Sequence, residues 1–127
     1  MGTRNKILSV DDSLTMRKII KSHVEALGYE LLEASEGANG LQVLNNEIHN
    51  IGLILLDWNM PGMNGMEFLQ KVKSNVLYHN IPIIMVTTEA ERESIVKAVQ
   101  QGVSNYILKP FTNEELTKKI NQCIRRD

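Results

Sequence analysis

Asp11, Asp12, Asp57, Thr87 and Lys109 are far apart in the chain, yet each ends or directly follows a short apolar run. If those runs lie side by side in a sheet, acids, a hydroxyl and a cation meet at one edge. Carboxylates brought that close repel, and a hard divalent cation relieves the repulsion best. All-oxygen ligation with open water positions suits Mg²⁺, with Mn²⁺ as a substitute. Lys109 can then face the acids and pair with a phosphoryl oxygen, and Thr87 can donate to one. Singly, the acids could be solvated loop residues, Lys109 a snorkelling surface lysine and Thr87 a strand residue or helix cap. Placed together beyond the carboxyl ends of parallel strands, they mark a ligand site.

The loop that follows Asp57 reads Trp58-Asn59-Met60-Pro61-Gly62-Met63-Asn64-Gly65. Pro61-Gly62 is turn chemistry, and such a turn lets a backbone carbonyl near Asn59 bend toward a metal. Trp58, the sole tryptophan, is expected to pack beside this loop. Lys109 precedes Pro110, which biases it to extended geometry. Thr88 and Glu91 have capping-box spacing, so Thr88 can start a helix and leave Thr87 to the site.

The elements that must carry these residues are legible. Apolar runs at Lys6–Val10, Tyr29–Ala34, Leu53–Leu56, Ile81–Val86 and Asn105–Leu108 alternate with helical periodicities. The first, third and fourth contain nearly unbroken apolar stretches, as for parallel strands covered on both faces. Met16, Ile19, Ile20, Val24 and Leu27 share the first helix face, with Ser13 as cap and Gly28 as stop. Leu41, Leu44 and Ile48 mark the second helix, and Met66, Leu69, Val72 and Val76 the third. Ile95, Ala98 and Val99 mark the fourth, over roughly 91–101, with Gly102 after it. The last begins with a Thr112–Glu115 capping box and a Phe111–Leu116 staple, and turns Leu116, Ile120 and Ile124 inward. Five β-then-α units imply a single α/β sandwich over residues 1–127 with a parallel sheet.

Composition agrees and excludes. Hydrophobic residues make up 43% of the 127, enough for a core. Fourteen basic against fifteen acidic residues leave a net charge of -1, so a general nucleic-acid binder is not expected. Cys123 is the only cysteine and forms no internal disulfide, which suits a reducing cytoplasm. The start is polar, and Lys6 breaks the myristoylation pattern that Gly2 would open. No apolar run is long enough for a bilayer.

Val10-Asp11-Asp12-Ser13, Leu56-Asp57-Trp58-Asn59-Met60-Pro61-Gly62, Met85-Val86-Thr87-Thr88-Glu89-Ala90 and Leu108-Lys109-Pro110-Phe111, in this order, resemble the receiver domain of two-component response regulators. Within that family the chain is most similar to the single-domain chemotaxis regulators. The resemblance implies a flavodoxin-like (βα)5 sandwich of strand order 2-1-3-4-5. It implies phosphorylation of Asp57 from a sensor histidine kinase, with Asp12, Asp57 and the Asn59 carbonyl binding the metal and Asp11 assisting through water. Lys109 would contact the phosphoryl group, Thr87 would swing toward it, and Tyr106 would turn inward. Thr88, bulkier than the alanine often found there, would narrow access. A cis bond between Lys109 and Pro110 is also implied.

Asn59 and Glu89 flank the expected water path and would tune the lifetime of the phosphorylated state. The face bearing Ala90, Tyr106 and Lys119 would carry output, with a flagellar motor switch protein as partner and a phosphatase as a further one. Glu91 adds negative charge near that face. A cytoplasmic monomer is expected, with no nucleic acid, no membrane and no enzymatic turnover beyond self-phosphorylation and autodephosphorylation.

Rival readings are told apart by the residues they need. A haloacid-dehalogenase-like phosphatase needs Asp-x-Asp after an early strand, whereas Asp57-Trp58-Asn59 lies mid-chain without the second acid. A flavodoxin-like cofactor binder needs a hydroxyl- and glycine-rich loop where Asp11-Asp12 stand. Phosphorelay or phosphate-sink receivers share this site, and a non-signalling module would not need all of it.

Overall fold

The computed structural model describes residues 4–124, apart from the side chain of Glu89. In chain order the elements are β1 (Lys6–Val10), α1 (Leu14–Ala26), β2 (Glu30–Ala34), α2 (Gly37–Asn46), β3 (Ile51–Asp57), α3 (Gly65–Lys73), β4 (Ile83–Thr88), α4 (Arg92–Gln100), β5 (Asn105–Lys109) and α5 (Asn113–Cys123). A short 3-10 turn, Glu89–Glu91, joins β4 to α4. The five strands pair in parallel in the order β2-β1-β3-β4-β5.

The nearly unbroken apolar runs occupy the centre of the sheet and feed two cores by simple alternation. Leu8, Val10, Ile54, Leu56, Ile83 and Met85 face the layer of α2, α3 and α4, where Phe68, Leu69, Val72 and Ala98 are buried. Ile7, Leu53, Leu55, Ile84 and Val86 face the opposite layer, against Ile20 and Val24 of α1 and Leu116 and Ile120 of α5. Both sides are covered, so neither face of the central strands needs polar residues.

The helix ends follow side-chain chemistry. Ser13 accepts from the Met16 amide at 3.1 Å and starts α1. Thr112 and Glu115 form the expected capping box on α5, and Phe111 packs against the cluster that holds Leu116. Gly28 and Gly102 take positive φ after α1 and α4, as helix-ending glycines do. A second capping box, Asn64 with Glu67 on α3, is present although the motif reading passed over it. Its Asn-x-x-Glu spacing was the available clue.

Five expectations need correction. Ile19 is 48% exposed and Val99 52% exposed, although the periodicity assigned both to buried faces. Each helix buries a narrower stripe than its apolar residues would cover. Val76 lies beyond α3 and is 82% exposed, and Ile48 lies beyond α2 although it packs against the core. Thr88 does not cap α4: it still pairs with Lys109 at the end of β4, and the 3-10 turn puts Glu91 at the helix start.

Gly65 is where this architecture is tightest next to the site. A Cβ there would lie 2.5 Å from the Trp58 ring and 2.9 Å from the Trp58 backbone. The Gly65 amide also donates to the Trp58 carbonyl at 3.1 Å, closing the loop after β3. Gly65→Ala is therefore expected to destabilise the fold by about 1–3 kcal/mol, the usual cost of forced overpacking. A urea melt with an unchanged midpoint would refute this.

Candidate functional site

Strand register builds the site. Val10 pairs with Leu56, Asp57 with Val86, and Thr88 with Lys109, so four strands end at one level. The backbone locks the first residues beyond them: the Asp11 amide donates to the Ala34 carbonyl and the Trp58 amide to the Val86 carbonyl, both at 3.0 Å. Arg17 of α1 donates from Nη1 to the Asp11 carbonyl and from Nε to Glu33 at 3.1 Å. No sequence pattern singled it out, because its partner is the backbone of a turn.

Asp11, Asp12 and Asp57 each offer a carboxylate oxygen within 4.8 Å of the others. Asp11 and Asp57 are buried and Asp12 is exposed. The Ser13 amide donates to Asp11 Oδ1 at 2.8 Å, fixing that carboxylate. Lys109 Nζ sits 3.2 Å from Asp57 Oδ1 and 4.0 Å from Asp11 Oδ2. Among the described residues, one cation, Lys109, pairs with two of these three acids, which leaves a net deficit of positive charge. Burial, and secondarily the negative Asp11, push the Asp57 carboxyl up to about 6, while Lys109 pulls the other way. A hard divalent cation fits this donor set: three carboxylate oxygens close together, and an acid whose charge the surroundings leave unbalanced.

Thr87 is 2% exposed, and its hydroxyl has no hydrogen-bond partner among the described residues. Buried hydroxyls normally find one, so this one is available to a group the site admits. Thr88, exposed, donates to Glu91 Oε1 at 3.3 Å rather than reaching the acids. Asn59, also exposed, donates through Nδ2 to the same Glu91 oxygen at 2.8 Å. The Lys109–Pro110 peptide is cis.

Trp58 is buried beside the loop, as its composition suggested. Tyr106 is not in the site. It is 37% exposed on β5, with Lys119 Nζ 5.0 Å from its ring centroid and bonded to Asn105 Oδ1 at 3.1 Å. Ala90 is exposed in the 3-10 turn. The Glu89 side chain, expected at the water path, lies outside the described residues.

Residues 7–121 match the family model for the response regulator receiver domain. A chemotaxis protein CheY1 of Helicobacter pylori is 45% identical over 116 residues, covering 91% of this chain and 93% of its own. A chemotaxis protein CheY homolog of Campylobacter jejuni is 42% identical over 120 residues, covering 94% and 92%. Among solved structures, chemotaxis response regulator CheY4 of Vibrio cholerae superposes with a TM-score of 0.88 at 32% identity, covering 96% of this chain and all of its own. The parallel sheet order, the acid cluster facing Lys109 and these matches agree: the chain belongs to the response regulator receiver domain family, the phospho-responsive module of two-component signalling.

Proposed function

We propose that this protein accepts a phosphoryl group on Asp57 from a histidine kinase and signals through the face formed by α4, β5 and α5. The observation that carries the reading is Lys109 poised 3.2 Å from the buried Asp57 carboxylate, amid acids suited to a metal. Asp12, Asp57 and the Asn59 carbonyl would hold Mg²⁺, with Asp11 behind them. When bound, the ion supplies positive charge against the phosphoryl oxygens.

The protein's own residues supply the rest. An Asp57 oxygen attacks phosphorus as the bond to the kinase imidazole nitrogen breaks, and that nitrogen keeps the electron pair. Lys109 pairs with an equatorial oxygen, where charge is densest during transfer. Thr87, buried with an unspent hydroxyl, donates to another. Drawing Thr87 in vacates space beside β5, and Tyr106 then leaves its exposed position. Asn59 and Glu89 are the residues that the family resemblance assigns to setting the lifetime.

The names of the relatives support chemotaxis as the setting; a flagellar motor switch protein as the receiving partner rests on the family resemblance alone. The compartment that fits a kinase-fed phosphate switch is the cytoplasm, and no helix among the described residues is long and apolar enough to cross a membrane. The test is a small phosphodonor with Mg²⁺, followed by mapping of the acid-stable, base-labile label. Label on Asp57 is expected; label elsewhere, or none, sinks the reading.

Thr87 separates phosphorylation from output. Thr87→Ala is expected to take label at near-normal yield, because Asp57 and Lys109 are untouched, yet to lose the change at Tyr106. Fluorine NMR of a fluorotyrosine at position 106, with and without phosphodonor, reads this directly. A full Tyr106 shift in Thr87→Ala would reject the proposed coupling.

A further inference from the structure

We propose that Glu91 is a positioning residue of this site: its carboxylate straps Asn59 to Thr88 and slows the approach of water to the aspartyl phosphate. The inference rests on the reading of Asp57 given above and names a regulator of the same site.

A single oxygen, Glu91 Oε1, accepts from Asn59 Nδ2 at 2.8 Å and from Thr88 Oγ1 at 3.3 Å. Asn59 is two residues past Asp57 in the loop after β3. Thr88 follows Thr87 and pairs with Lys109 at the end of β4. The strap therefore joins the two segments that border Asp57 from β3 and β4. Glu91 stands at the start of α4, where an acidic side chain could cap the helix, but it makes no capping bond. Its side chain is committed across the loops instead.

Asn59 and Thr88 are both exposed, so water could satisfy either if the strap were absent. The bonds are thus not needed to relieve buried polar groups, and their effect on folding is small. What they fix is the position of the Asn59 amide, two residues past the acceptor Asp57. In hydrolysis a water oxygen bonds to phosphorus while the bond to the Asp57 oxygen breaks. The electron pair returns to the Asp57 carboxylate, one water proton stays on the released phosphate and the other passes to solvent. Anything that holds Asn59 and Thr88 together over that approach lengthens the lifetime.

The experiment labels wild type, Glu91→Ala, Glu91→Gln, Asn59→Ala and the Glu91→Ala/Asn59→Ala double variant at saturating Mg²⁺ and follows loss of label. Glu91→Ala is expected to speed decay by about three- to tenfold, the range one ordinary hydrogen bond allows. Gln keeps an accepting Oε1, so Glu91→Gln is expected to restore most of the lifetime, which a role in bulk charge would not. The double variant should decay no faster than the faster single one, because both remove the same contact. Unchanged decay in Glu91→Ala, or multiplying effects in the double variant, overturns this inference while leaving the label on Asp57 intact. Absence of label on wild-type Asp57 overturns the receiver reading and this inference with it.

Discussion

Asp57→Asn is expected to abolish acyl-phosphate labelling and, at the same time, to stabilise the metal-free fold by ~1–3 kcal/mol at neutral pH. The first effect follows from removing the accepting oxygen's negative charge. The second follows from burial. Asp57 is 5% exposed beside the buried Asp11, and its carboxyl is raised from 3.8 to about 6. The folded protein therefore holds a proton that the unfolded chain releases at lower pH. Stability from this group is full below about pH 4 and is lost as pH rises through about 6.

Asparagine removes that loss. It also deprives Lys109 of a partner, but Lys109 is 24% exposed and keeps Asp11 at 4.0 Å, so solvent offsets most of the cost. Relief of the buried charge wins. Urea melts of both proteins in chelator between pH 4 and 8 should converge at the acid end and separate above pH 6. Mg²⁺ should reverse the order by stabilising the wild type more. Parallel stabilities at every pH would contradict a raised Asp57.

Lys109→Ala is expected to cut the rate of phosphoryl transfer by about 10²–10³, the scale for losing one pre-positioned charged donor. It should not abolish metal binding, because the acids remain. It should also move the Asp57 midpoint further alkaline, since Lys109 is the group that lowers it. Stability should drop by only about 1 kcal/mol, discounted because the lysine is part solvated. Arginine is not expected to rescue: its planar fork needs a different approach from a compact ammonium 3.2 Å from one oxygen. Single-turnover labelling measures the rate, and a pH titration of Trp58 fluorescence measures the midpoint. A Lys109→Ala protein labelled at the wild-type rate would leave Lys109 as a counter-ion only.

Much of this arrangement was written in local pattern. The runs at β1, β3 and β4 announced central parallel strands because burial on both faces permits no polar alternation. The caps at Ser13 and Thr112 were readable because they satisfy amides three residues away. The acids, Thr87 and Lys109 were legible because strand ends place them, and strand ends were marked by turns and by Pro110. The outer limits of the helical stripes were less legible. Ile19, Val76 and Val99 fit an apolar period, but whether a neighbour covers them depends on how far each helix is from the sheet.

Residue order by itself determined which groups could meet: alternating strands and helices leave few ways to bury five apolar runs, and every such way brings Asp11, Asp57, Thr87 and Lys109 to one edge. Only the tertiary structure decided the contacts of long polar side chains. Arg17 turned to the Asp11 backbone and Glu91 reached across to Asn59, choices made among many solvated alternatives of nearly equal energy. Backbone burial is a large, local constraint, whereas a surface hydrogen bond is worth about 1 kcal/mol and is settled by which partner the fold happens to bring within 3 Å.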